Sequence, residues 1–305
     1  MNPNPHGGPS HPKVSIVMVT YNHANWIAQA IESVLSQEAD FEYELLIGED
    51  RSTDNTREIC RQYAQRRPDR IVLTLREHNV GVFANWSGLF QAARGDFIAF
   101  CEGDDYWTSP HKLAKQVRAM EQNPGWAGCF HKTRVIHADG SEPDRFLPAQ
   151  SPGSEVSLRQ IVADNCIATC SIMYRRGVAP KIPDWFATLA MGDWPLHILH
   201  AMHGPLGYLD EEMGVYRLHR GGIWTSMDQA QRLDHTLRMW FTIESHSDKS
   251  LQPLIAQGRR EHLSRLLETY EGELARLHKI EARYRALQLH RLAAIGQWLK
   301  RGKRP

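Results

Sequence analysis

The run Val14-Ser-Ile-Val-Met-Val-Thr20 sets the first constraint on the fold, because it is nearly all apolar and β-branched yet too short for a stable helix. That pattern suits a strand covered on both faces. Trp26, Ile27, Ala30, Ile31, Val34 and Leu35 then recur at helical spacing, so an amphipathic helix follows. The unit repeats. Tyr43 to Gly48 reads as a second strand, Ser52 and Thr53 as caps of a helix carrying Ile59 and Tyr63, and Ile71 to Leu75 as a third strand. A helix from Val82 to Ala93 and a fourth strand from Asp96 to Cys101 complete the series. Strands alternating with helices predict an α/β domain with right-handed crossovers, a mostly parallel central sheet and flanking helices.

Beyond Pro110 the pattern is mixed. A helix is predicted near Leu113 to Met120, strands near Gly128 to Ile136 and Ile167 to Tyr174, a helix after Asp193, and short strands over Leu206 to Leu218. Past Ser226 nearly every pattern is helical. The chain is therefore expected to divide into a flexible start at 1–12, two halves of one domain at 13–109 and 110–225, and a helical extension at 226–305. The formal net charge of +1 gives no case for a nucleic-acid partner, but from Gly258 onward 12 Lys/Arg face 5 Asp/Glu, so the tail is basic and the remainder net acidic.

In that tail Leu287, Leu289, Leu292, Ile295, Trp298 and Leu299 lie beside Arg285, Arg291, Lys300, Arg301, Lys303 and Arg304. Such a helix suits an anionic membrane surface. Leu263, Leu266, Leu267, Leu274, Leu277 and Ile280 equally suit a seam between two copies of the chain. No stretch approaches the roughly 18 to 20 apolar residues of a spanning helix, and the polar Met1 to Pro12 is unlike a signal sequence. Five scattered cysteines without a CxxC pair argue against a disulfide framework or zinc ribbon, with Cys166 and Cys170 read as packing residues. These features imply a cytoplasmic protein with peripheral contact at the inner face of a membrane.

In parallel α/β sheets ligands sit beyond the carboxyl ends of the strands, and there the polar clusters gather. Thr20-Tyr21-Asn22 follows the first strand, Glu49-Asp50 the second, and Glu102-Gly103-Asp104-Asp105 the fourth. Carboxylates so close repel one another and are costly to bury unless a cation neutralises them. Mg²⁺ or Mn²⁺, shared between Asp104 and a diphosphate, would do so, whereas a solvated acidic turn would need no cation. Glu49-Asp50 offers acceptors for a base or ribose, or simply starts a helix. Asn79-Val80-Gly81 with Asn85 permits close backbone approach, although a plain loop and helix cap would look the same.

Taken together, Val14 to Asn22, Glu49-Asp-Arg-Ser-Thr-Asp-Asn-Thr56, Asn79-Val-Gly81 with Asn85, and Phe100-Cys-Glu-Gly-Asp-Asp-Tyr-Trp107 resemble the ordered motifs of family 2 glycosyltransferases with the Rossmann-like GT-A fold, over Pro12 to about Trp224. The resemblance implies transfer of a sugar from a nucleotide diphosphate donor, usually with inversion and with Mn²⁺ or Mg²⁺. It carries Thr20 and Tyr21 to the nucleotide pocket, Asp50 to the base, Glu102 to the ribose and metal shell, and Asp104 to the metal. Glu102 and Glu49 stand where the family usually has Asp. The Gln-x-x-Arg-Trp signature of processive synthases is missing, so a single-addition enzyme acting on a glycan or lipid-linked acceptor is expected. A bacterial surface glycan is the default product.

Inverting transfer needs a carboxylate opposite the leaving diphosphate. Asp193, ahead of Trp194-Pro195 at a helix start, offers it in the segment where the family places its base, while a pure N-cap would look alike. Asp210, Glu211 and Glu212 are alternatives. Arg217 and His219, among cations and glycines after a strand, suit a diphosphate or a metal edge, or else a flexible basic loop. His197, His200 and His203 repeat every third residue and are read as structural. Two other classes are weighed. A sugar nucleotidyltransferase should carry a Gly-rich, Arg-containing loop after its first strand, which Thr20-Tyr-Asn-His23 is not. A catalytically silent nucleotide-sugar binder should have lost carboxylates that are all present.

Overall fold

The computed structural model describes residues 11–179, 182–268, 270–272 and 278–279. The elements run β1 (Val14–Thr20), α1 (Ile27–Leu35), β2 (Tyr43–Glu49), α2 (Thr56–Arg66), β3 (Ile71–Leu75), α3 (Val82–Ala92) and β4 (Phe97–Phe100). There follow β5 (Tyr106–Trp107), α4 (Lys112–Gln122), β6 (Gly128–His137), β7 (Arg145–Leu147), β8 (Glu155–Val156), α5 (Leu158–Ala163) and β9 (Met173–Arg175). Last come α6 (Asp193–Ala201), β10 (Leu206–Leu218) and α7 (Gln229–His246), with residues 252–268 helical beyond them. No described helix is long and apolar enough to cross a membrane.

One sheet holds all ten strands in the order β3-β2-β1-β4-β9-β6-β10-β5, with β7 beside β6 and β8 beside β10. Every residue of β1 and β2 is buried, as the unbroken apolar pattern requires. Alternate β1 side chains enter opposite cores. Ile16 and Met18 pack with Ile27, Ile31 and Leu113 on one face, and Val17 and Val19 with Trp86, Phe100 and Trp194 on the other. Burying each such aliphatic side chain contributes about 1.5–3 kcal/mol.

The first four strands are parallel, as the alternating pattern predicts. The second half is mixed: β9 runs antiparallel to β4 and β6, and β10 parallel to β6. Three predicted elements differ. Ser52 and Thr53 do not cap α2, which starts after Asn55, because both side chains are used by Asn22 of the facing turn. Asp54 Oδ1 takes the Thr56 N–H instead at 2.9 Å. Of the strand expected over Ile167 to Tyr174 only the end forms. Thr169–Ser171 is a 3₁₀ turn, in which the Ser171 hydroxyl donates to Ala168 O at 2.7 Å. Leu206 to Leu218 is one strand of 13 residues rather than several, with irregular register between Leu209 and Gly214.

Ahead of β1, Pro12 is buried and His11 Nε2 lies 3.0 Å from Asp96. At the other end, helix 252–268 packs on its own domain. Ile255 is buried, His262 stacks edge-on against Trp194, and a Cβ on Gly258 would meet Val162 at 2.3 Å. Of the proposed seam, Leu263 is half-buried, Leu267 exposed, and Leu274, Leu277 and Ile280 lie outside the described residues, as does the amphipathic segment from Arg285 onward.

Candidate active site

The sheet brings the polar clusters to one rim. Asp50 N–H donates to Thr20 O at 3.1 Å and Gly103 N–H to Val19 O at 3.0 Å, so the ends of β1 and β2 and the loop after β4 lie side by side. They border a cavity of about 680 Å³. Its wall includes Thr20, Tyr21, His23, Asp50, Asn79, Gly81, Asn85, Glu102, Asp104, Asp193 and Arg217.

Asp50 shapes the first corner. Its Oδ1 accepts the Val80 N–H at 2.8 Å and its Oδ2 the Gly81 N–H at 2.9 Å, while Asn79 Nδ2 donates to its carbonyl. Gly81 has φ +83°, a conformation glycine adopts without strain, and it opens α3. Asn85 reaches the cavity, but its amide braces the fold: Nδ2 donates to Gly48 O at 2.7 Å and Oδ1 accepts from Arg76 Nε.

Asp104 stands at the second corner with two imidazoles. His219 Nε2 is 2.9 Å from Asp104 Oδ2 and His23 Nε2 is 3.7 Å from the same oxygen. One ligand atom from each residue lies within 4.8 Å of the other two. Burial alone would raise the Asp104 carboxyl, but His23 and His219 outweigh it and hold it below the usual carboxylate range. Burial also lowers His23, which favours a neutral ring with a lone pair to offer. Two imidazoles beside an ionised carboxylate are a donor set that fits a divalent cation. Glu102 is not in this cluster. Burial, together with the charges of Asp104 and Asp193, pushes its carboxyl up to about 8. Crowded carboxylates of this kind are what a bound cation relieves.

Arg217 holds the acidic loop in place. Its guanidinium donates to the Asp104 carbonyl and, at 2.9 Å, to Gln29 Oε1, and it lies over the rings of Trp26 and Tyr106. These bonds tie the guanidinium to the loop and to Gln29 while the residue borders the cavity.

Asp193 faces the cavity from the other half of the domain. It is the first residue of α6, and Gly192, not Asp193, is the N-cap. The Asn165 amide donates to Asp193 Oδ2 at 3.1 Å, and burial raises its carboxyl above the ordinary value despite that bond.

Five predicted site residues do not line the cavity, His219 of the Asp104 cluster among them. Asn22, in a left-handed turn, receives the Thr53 N–H and hydroxyl. Glu49 is fully buried in a pair with Arg57 and accepts the Ser52 N–H. Gly103 packs under Thr20, and Asp105 is buried against the Arg217 backbone. Glu49 and Asp105 are turned inward by the alternation of a chain leaving a strand, whereas Asn22 is exposed and its left-handed turn directs it to Thr53. The alternative bases also lie away from the cavity, Asp210 on Tyr208, Glu211 on Lys115 and Glu212 on Arg134. His197 and His200 are buried against Tyr174, and His197 also borders the cavity. Sequence reasoning passed over His23 and Asn165, because a lone His or Asn in a turn carries no local signal of the partner it meets through the fold.

Comparison with known proteins agrees with this architecture. An uncharacterized protein of Mycobacterium tuberculosis is 37% identical over 283 residues, covering 92% of this chain and 80% of its own length. An uncharacterized glycosyltransferase of Nostoc sp. is 29% identical over 214 residues, covering 68% of this chain and 65% of its own. Among solved structures, S. aureus TarS in complex with UDP-GlcNAc superposes with a TM-score of 0.60 at 19% identity, over 83% of this chain and 73% of that one. The mannosyltransferase PcManGT from Pyrobaculum calidifontis, in complex with GDP-Man and Mn²⁺, gives 0.61 at 17% identity, over 84% and 71%. The model of glycosyl transferase family 2 matches residues 15–179, and with the relatives above it shows that this chain belongs to that family.

Proposed function

We propose that this protein transfers a single sugar, with inversion, from a nucleoside diphosphate sugar to a glycan or lipid-linked acceptor, with a divalent cation held by Asp104 and His219. The observation that carries the reading is the placement of two chemistries on one cavity, a cation-ready cluster around Asp104 and a buried carboxylate, Asp193, from the other half. Residues 13–109 would bind the donor and 110–225 the acceptor. The structural neighbours hold UDP-GlcNAc and GDP-Man, which supports the donor class, and a UDP-sugar is the first to test.

When bound, the cation would offset charge on the departing diphosphate. Asp193 would take the proton of the acceptor hydroxyl as its oxygen attacks the anomeric carbon, and the bond to the diphosphate would break with its electron pair leaving on the nucleoside diphosphate. Asn165 would orient Asp193, and Asp50 would hold the Asn79–Gly81 loop against the nucleotide. The basic tail would bring the enzyme to a membrane-borne acceptor.

Calorimetry with UDP and GDP, with and without Mn²⁺, tests the donor site. Metal-dependent binding that Asp104→Ala removes is expected. Binding by neither nucleotide, or equal binding by the variant, would overturn the assignment.

A further inference from the structure

The turn after β1 brings a third donor to Asp104. Asn22 locks that turn onto Ser52 and Thr53, and the next two amides are tied to the start of α2, His23 N–H to Thr56 Oγ1 at 2.8 Å and Ala24 N–H to Asp54 Oδ2 at 3.0 Å. The His23 backbone is therefore fixed. Its ring, 16% exposed, lies edge-on to His219 and to Trp26.

A histidine buried for packing alone normally spends its ring nitrogens on hydrogen bonds. His23 does not. Nδ1 has no partner among the described residues, and Nε2 approaches Asp104 Oδ2 only to 3.7 Å, beyond hydrogen-bond reach. Two atoms each about 2.1 Å from one ion lie about 3 Å apart at a right angle and about 4.2 Å apart when opposite. The separations of 2.9 and 3.7 Å from Asp104 Oδ2 to His219 and His23 fall in that range.

Resting on the divalent-metal reading above, we propose that His23 is a third protein ligand of the ion, and that two imidazoles with one carboxylate make the site select a first-row transition ion such as Mn²⁺ or Co²⁺ over Mg²⁺. Mg²⁺ takes oxygen ligands and parts from water reluctantly, whereas imidazole affinity rises along the transition series. With Asp104 and His219 alone the site would offer one nitrogen and one carboxylate. His23 turns the balance to nitrogen.

The test uses the full chain with MnCl₂ or MgCl₂, alone and with UDP or GDP. Calorimetry gives affinities, and electron spin-echo envelope modulation counts the nitrogens on Mn²⁺. Two imidazole nitrogens are expected in the wild type, with Mn²⁺ bound at least about tenfold more tightly than Mg²⁺. His23→Ala should leave one nitrogen and weaken Mn²⁺ by about 10-fold or more while changing Mg²⁺ little. The wild-type spectrum decides even if the variant fails to fold. A single nitrogen in the wild type, unchanged Mn²⁺ affinity in the variant, or equal affinity for Mg²⁺ and Mn²⁺ would overturn the proposal and leave the metal-dependent reading standing. Failure of the wild type to bind any ion under all conditions would overturn both.

Discussion

The Arg217 backbone N–H donates to Asp105 Oδ1 at 2.8 Å, joining the end of strand β10 to the acidic loop after β4 across 112 residues of chain. The carboxyl is buried, its Oδ2 has no partner among the described residues, and burial raises it well above the ordinary aspartate value. A neutral side chain of the same shape should serve. Asp105→Asn is expected to keep stability and nucleotide binding, whereas Asp105→Ala should leave the Arg217 N–H unpaired and cost about 1–3 kcal/mol in urea unfolding.

Asp193→Asn should retain donor binding and lose about 10²- to 10⁴-fold in turnover, the usual cost of removing a general base. Because burial raises the Asp193 carboxyl, the acid limb of kcat/KM should lie above that of an ordinary aspartate, activity falling as pH drops through the raised value. Asn165→Ala removes a bond to the ionised form and should move that limb further up. Activity of Asp193→Asn within a few-fold of wild type would return Asp193 to a structural role.

At Gly103 the acidic loop packs directly against the end of β1, its N–H donating to Val19 O at 3.0 Å. A Cβ there would stand 2.5 Å from Thr20 Oγ1 and 2.9 Å from His23 Nδ1. Gly103→Ala must push the loop away, and about 1–3 kcal/mol of destabilisation is expected with weakened nucleotide binding. Thermal unfolding and calorimetry on the same preparation check both parts.

Far from the cavity, Glu44 is buried beneath Arg94 and Ser15, with the Ser15 hydroxyl donating at 2.7 Å and Arg94 Nε at 3.1 Å. Burial would raise its carboxyl, but these bonds outweigh it and hold the folded value low. The pair should therefore stabilise the protein above the unfolded carboxyl's ordinary value, 4.5, and lose that contribution as pH falls through the lower folded value. Glu44→Gln should flatten the pH dependence of the urea midpoint across that acidic window. An unchanged slope would remove Glu44 from the account.

The sequence by itself determined β1, β2 and β4, their intervening helices and the rim on which the Thr20, Asp50 and Asp104 clusters gather. Unbroken β-branched runs bury on both faces, and the order of strand and helix leaves few connections to choose from. It also carried the family, since the polar motifs sit next to those strands in the chain. Only the tertiary structure decided which polar side chain faces the cavity. Glu49 and Asp50 are neighbours of the same charge type, yet one turns inward to Arg57 and the other borders the cavity, a difference of one step in strand alternation. It decided equally that Arg217 serves the Asp104 loop and that His23 approaches Asp104, 81 positions away in the chain, because contacts set by crossing strands leave no trace in local spacing.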